Sequence, residues 1–237
     1  MNKLMGLLPE AVIDRVRVVG QTCVPSLRQS VLTSTVGFTI ASLAVYGSWA
    51  LHERALYGRI GEGGAYAVWA VMFIALAGGL LNPVIIGPRT LGRFYALFAM
   101  AFTAYAVLWS ASWFLLRGKT GEWVGAATGC AAMALVLAGG FGLQRGLWKV
   151  IVVLFALHTA GYFAGGWLYG YISGADETHW LNQFTDRPTR RWMSKLAWGF
   201  AHGIGLGAGL GLTLHAAQAG IRERIAGLPE QRPDDAR

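Results

Sequence analysis

Charged side chains are scarce in this sequence: Asp, Glu, Lys and Arg make up 14% of 237 residues, against roughly 25% in an ordinary soluble domain. That shortage, with 54% hydrophobic residues, excludes a soluble globular chain of usual surface. Cysteine is nearly missing. Cys23 lies in a polar N-terminal segment and Cys130 inside an apolar run, so a disulfide framework is excluded and both are read as unpaired thiols. Basic residues form no single stripe, and the formal charge of +8 is spread over short connectors, which argues against nucleic acid as a partner. The acidic residues all lie outside the apolar runs, leaving no intramembrane carboxylate for ion coupling. No His-x-x-x-His or comparable ligand spacing occurs, so no metal is expected. Residues 1–30 contain Glu10, Asp14, Arg15, Arg17, Pro25 and Arg28, which interrupt any apolar signal region, so no removable leader is expected.

What is present is apolar length. Runs near or above the roughly 18 residues needed for a span recur between residues 31 and 217. The fold expected is all-α: a polytopic membrane protein with a six-helix transmembrane bundle. The spans fall near Val31–Leu51, Tyr66–Ile86, Arg93–Arg117, Trp123–Leu143, Leu147–Ile172 and Trp192–Ala217. Residues 1–30 are then a juxtamembrane segment, residues 31–217 the membrane domain, and residues 218–237 a tail that becomes disordered from Gly227 onward. Trp109 and Trp113 read as an aromatic belt. His52 to Ala65 reads as the first external loop. Lys and Arg number twelve on the side of the termini and eight on the other, which places both termini in the cytoplasm of a bacterial cell, with the spans in its inner membrane.

The sixth span carries the densest signal. Gly199, Gly203, Gly207 and Gly211 recur every fourth residue and so line one helix face, where another backbone can approach closely; Gly205 and Gly209 widen the groove. His202 sits inside the same span, where an ionisable ring needs a partner. In span four, Thr128 follows Gly125, Ala126 and Ala127, and its simplest fate is a hydrogen bond back to the preceding turn. At about 1.5 Å rise per residue, Thr128 lies ~8 Å and His202 ~15 Å below the same surface, so contact between them is compatible with the depths. His158 on span five reaches about the same midplane as His202, and two facing histidines could ligate a b-type haem. Otherwise no cofactor is expected.

Ala201-His202-Gly203 with its following glycines, Ala126-Ala127-Thr128-Gly129, the turn Gly87-Pro88-Arg89-Thr90-Leu91-Gly92 and the six-span plan resemble rhomboid intramembrane proteases. The resemblance implies His202 as catalytic base and Thr128 at the nucleophile position. Threonine replaces the family's serine there, Ala126 replaces its first glycine, and Tyr66 and Ala70 stand where its oxyanion-stabilising His and Asn would fall. Without those donors, hydroxyl attack loses ~100-fold or more in rate. The resemblance therefore implies an inert relative, a rhomboid-like pseudoenzyme that recognises or assembles other transmembrane proteins within the lipid bilayer. A working protease on Thr128 and His202, a haem protein and a small-solute transporter are the alternatives.

Overall fold

A computed structural model gives the fold and describes residues 6–19, 23–143, 145–174 and 180–228. Among them every regular element is helical: α1 (Pro9–Val19), α2 (Leu27–Leu81), α3 (Leu91–Leu116), α4 (Gly118–Phe141), α5 (Leu147–Ser173), α6 (Arg187–Ala217) and α7 (Ala219–Ala226). Four helices are long and apolar enough to cross a membrane, or five if α6 is taken with α7, from which it bends by 46°. The protein is an all-α, multi-pass membrane bundle.

Straight, the 55 residues of α2 would reach about 80 Å, far beyond a hydrocarbon core of about 30 Å. It is not straight. Gly61 breaks the helix with φ 71° and ψ 175°, a conformation that a residue with a Cβ rarely adopts. Phe38 and Phe73 consequently stack with ring centroids 5.4 Å apart, although 35 positions separate them in sequence. The single helix is thus a hairpin with limbs 27–60 and 62–81, and six long segments build the bundle.

The expected external loop at residues 52–65 is replaced by helix running to that break. Residues 52–60 contain no proline and pack back on the bundle through Glu53 and Tyr57, so helix continues past the apolar run. At the other end, helix stops at Leu81 and not at Ile86, and a 3-10 turn carries Pro83. Buried Gln218 secures this region: its side-chain oxygen accepts from Ile86 N–H at 2.7 Å and its amide donates to Val84 O and Leu214 O. The N-terminal segment is structured as well. Val12, Ile13 and Val16 of α1 are buried, and Glu10 pairs with Arg224 of α7 at 2.6 Å.

The glycines of α6 divide between two faces. A Cβ at Gly207 would lie 2.8 Å from both Ser34 O and Thr35 Cα; at Gly211, 2.7 Å from Val31 Cα; at Gly203, 2.6 Å from Thr39 Cα. The ladder therefore rests on the first limb of α2. Gly205 and Gly209 do not widen that groove; they meet α5, where Gly205 abuts Gly161 and Leu157 O. Only hydrogen on these carbons lets α6 wedge between two helices at backbone contact. A smaller ladder on α4, Gly121, Gly125 and Gly129, seats α4 against Ser112, Trp109 and Tyr105 of α3.

Candidate functional site

Inside the half of the bundle that holds the Gly61 break and the α5–α6 connection, five segments turn aromatic rings towards one another. Tyr46 and Trp49 come from the first limb of α2. Tyr66, Trp69 and Phe73 come from the second, and Phe102, Tyr105 and Trp109 from α3, both at the i, i+3, i+7 spacing that stacks side chains on one helix face. Tyr162 of α5 and Trp198 and His202 of α6 complete the wall of a chamber of about 180 Å³. The rings meet steeply: Tyr46 with Trp49 at 77°, Trp49 with Trp69 at 68°, Tyr162 with Trp198 at 62°. Among the described residues no Asp, Glu, Lys or Arg lines the space.

His202 forms part of the chamber wall, packed among Phe38, Tyr46 and Phe73. The Ser42 hydroxyl donates to Gly199 O at 2.7 Å and lies 3.4 Å from His202 Nδ1. Its one proton is used on the carbonyl, so Nδ1–H is the donor to Ser42 Oγ, and Nε2 keeps its lone pair as an acceptor. Behind it, His158 is fully buried, and its Nε2 is hydrogen-bonded to the Tyr105 hydroxyl at 2.7 Å. His158 and His202 meet edge to face with centroids 5.5 Å apart, as their matching depths foretold.

The rim carries the charge that the walls lack. Lys195 Nζ lies 2.6 Å from Glu53 Oε2 and 4.2 Å above the Trp49 ring. Glu53 also accepts from Trp49 Nε1–H at 3.0 Å. One carboxylate therefore ties α6 to the first limb of α2 through a chamber wall.

No family model, curated protein or solved structure matches this chain.

Thr128 is not brought to His202. Its hydroxyl donates to Val124 O at 2.8 Å on an exposed face of α4, the local bond expected of a membrane threonine. The residue that does meet His202 is Ser42, but it is fully buried and its proton is held by Gly199 O. That contact orients the imidazole. Nor does the histidine pair fit a haem, since the two rings already touch and His158 Nε2 is engaged by Tyr105, leaving no slot for a macrocycle between them. Asp176, Glu177 and His179 of the α5–α6 connection lie outside the described residues.

Sequence reasoning missed the chamber. Trp109 faces inward, where an interfacial belt was expected, and Tyr66 and Ala70, read as replacements for catalytic side chains, line the cavity. The aromatic i, i+3, i+7 spacings in the second limb of α2 and in α3 were the available signal.

Proposed function

We propose that this multi-pass membrane protein binds a small organic molecule in the aromatic chamber, acting as a carrier or receptor. The chamber itself carries the reading. Its volume of about 180 Å³ exceeds the ~150 Å³ of an apolar cavity that accepts benzene, so a single substituted ring fills it. Rings supply apolar contact and fixed shape at low entropic cost. The tyrosine hydroxyls, Ser110 and the His202 acceptor supply the few polar points that orient a ligand. Val45 lines the chamber and is nearly fully buried, so Val45→Phe fills it from within. Reconstituted in lipid nanodiscs, the wild-type protein binds 4-fluorobenzyl alcohol, followed by 19F NMR. Val45→Phe, with helix content unchanged, weakens binding at least tenfold. Equal affinity in both proteins overturns the reading.

Recognition of other transmembrane helices by a rhomboid-like pseudoenzyme has less support. Such recognition requires a small-residue face open to a partner, and the ladder from Gly199 to Gly211 is already occupied by the first limb of α2. In orientation, the distribution of Lys and Arg supports both termini on the cytoplasmic side and the α5–α6 connection on the other. Cys23 and Gln183 are both exposed, so they report the two sides. In intact cells a membrane-impermeant maleimide labels Gln183→Cys in a Cys23→Ser background and leaves Cys23 of the natural protein unlabelled; the opposite pattern reverses the orientation.

A further inference from the structure

We infer that the chamber is filled sideways from the bilayer, by neutral molecules, through a window between the second limb of α2 and α3. This inference rests on the ligand-binding reading above.

The two segments are held apart by large rings at two levels. Tyr66 stacks on Trp109 with centroids 6.2 Å apart, and Phe73 packs on Phe102 at 5.2 Å. Between those levels each helix also presents an alanine to the chamber, Ala70 beside Trp69 and Ala106 beside Tyr105. Ala70 follows Tyr66 by four residues and precedes Phe73 by three; Ala106 follows Phe102 by four and precedes Trp109 by three. At these two positions the helices carry only methyl groups, between aromatic pairs that set the helix spacing, which leaves a gap about 10 Å tall, the rise over seven residues. Both alanines line the chamber and both are partly exposed. The next residue on each helix faces outward: Val71 is 64% and Val107 59% exposed.

The height of the gap decides what can use it. Ala70 is near the middle of limb 62–81 and Ala106 near the middle of α3, so the window opens onto acyl chains and not onto water. A permanently charged molecule is costly at that depth, and the walls offer no formal counter-charge. A neutral molecule with one ring and one hydrogen-bond donor satisfies both limits. His202, 5% exposed, lines the chamber, and among the described residues no hydrogen bond engages its Nε2, which is left to accept that donor.

The test uses the full chain in nanodiscs with three probes of one shape: 4-fluorobenzyl alcohol, 4-fluorobenzylammonium and 4-fluorobenzoate. The alcohol binds and the two ions bind at least tenfold more weakly. Linking Ala70→Cys to Ala106→Cys with a short bifunctional thiol reagent, in a Cys23→Ser background, slows exchange of the alcohol at least tenfold, and reductant restores it. Leu115→Phe, on the exposed surface near the end of the same helix and away from the window, leaves the exchange rate unchanged. Ala106→Phe gives a second, irreversible closure, so a double-cysteine variant that fails to fold does not end the test. If the alcohol binds wild type but exchanges as fast through a cross-linked or Phe-blocked window, the lateral route is wrong. If the ammonium binds as tightly as the alcohol, the neutral class is wrong. If the alcohol does not bind wild type, the chamber reading itself fails, and that outcome is distinct from the other two.

Discussion

Gly207→Leu lowers the stability of the protein in detergent by about 3 kcal/mol, the upper part of the range for overpacking a tight contact. The first atom of the new side chain already falls 2.8 Å from Ser34 O and from Thr35 Cα. Those are backbone atoms of a helix, which cannot rotate away as a flexible side chain would. On the opposite face Gly205 meets Gly161 and Leu157 O, so α6 has no direction in which to retreat. Ile204→Ala serves as the control: Ile204 is 41% exposed, and truncation on a lipid-facing surface changes stability within about 0.5 kcal/mol. Leu206 is no such control despite lying beside Gly207, because it is fully buried, and Leu206→Ala costs about 2 to 5 kcal/mol through cavity formation. Thermal unfolding of the purified variants measures all three. A harmless Gly207→Leu would show that α6 does not pack through its ladder.

Glu53→Gln is the second large effect. The amide keeps an oxygen for Trp49 Nε1–H but removes the charge that faces Lys195, whose side chain is 8% exposed. Breaking a buried pair by removing one partner costs about 3 to 5 kcal/mol, because the remaining charge stays desolvated. Glu53 retains 35% of its own exposure, so a loss of about 3 kcal/mol, the low end, is expected. The double variant Glu53→Gln/Lys195→Met recovers most of it, since Met fills the space over Trp49 without a charge. Equal losses in the single and double variants would assign the effect to packing and not to the stranded ammonium.

Much of this fold was legible because its spans are long and their boundaries chemical. The ladder on α6 declared itself by its period of four, and Thr128 behaved as an isolated intramembrane threonine does. What could not be read was which helix each face meets. Gly205 and Gly209 look like a continuation of the ladder until α5 is placed on the other side of α6. The His158–His202 approach followed from depth alone, whereas Ser42 and Tyr105, which fix those rings, depend on the rotation of helices far away in sequence. The loop expected at residues 52–65 failed because polarity marks where lipid ends, not where helix ends; His52 to Ile60 stays helical above the apolar run. The chamber was hidden for a related reason. Its walls come from five segments, and each taken alone resembles an ordinary aromatic face of a membrane helix.

The rhomboid resemblance rested on the α6 segment from Ala201, on Ala126–Gly129, on the turn at residues 87–92 and on the six-span plan. The ladder packs on the first limb of α2, and the Thr128 hydroxyl is hydrogen-bonded within its own helix, to Val124 O. The geometry instead collects its polar tips and ring edges around the aromatic chamber.

The most direct measurement is an experimental structure of the protein soaked with 4-bromobenzyl alcohol, with bromine located by its anomalous scattering. A peak among Tyr46, Trp69, Tyr162 and His202, lost in Val45→Phe, is the predicted result; a peak confined to the lipid-facing surface, with the chamber empty, would contradict the account.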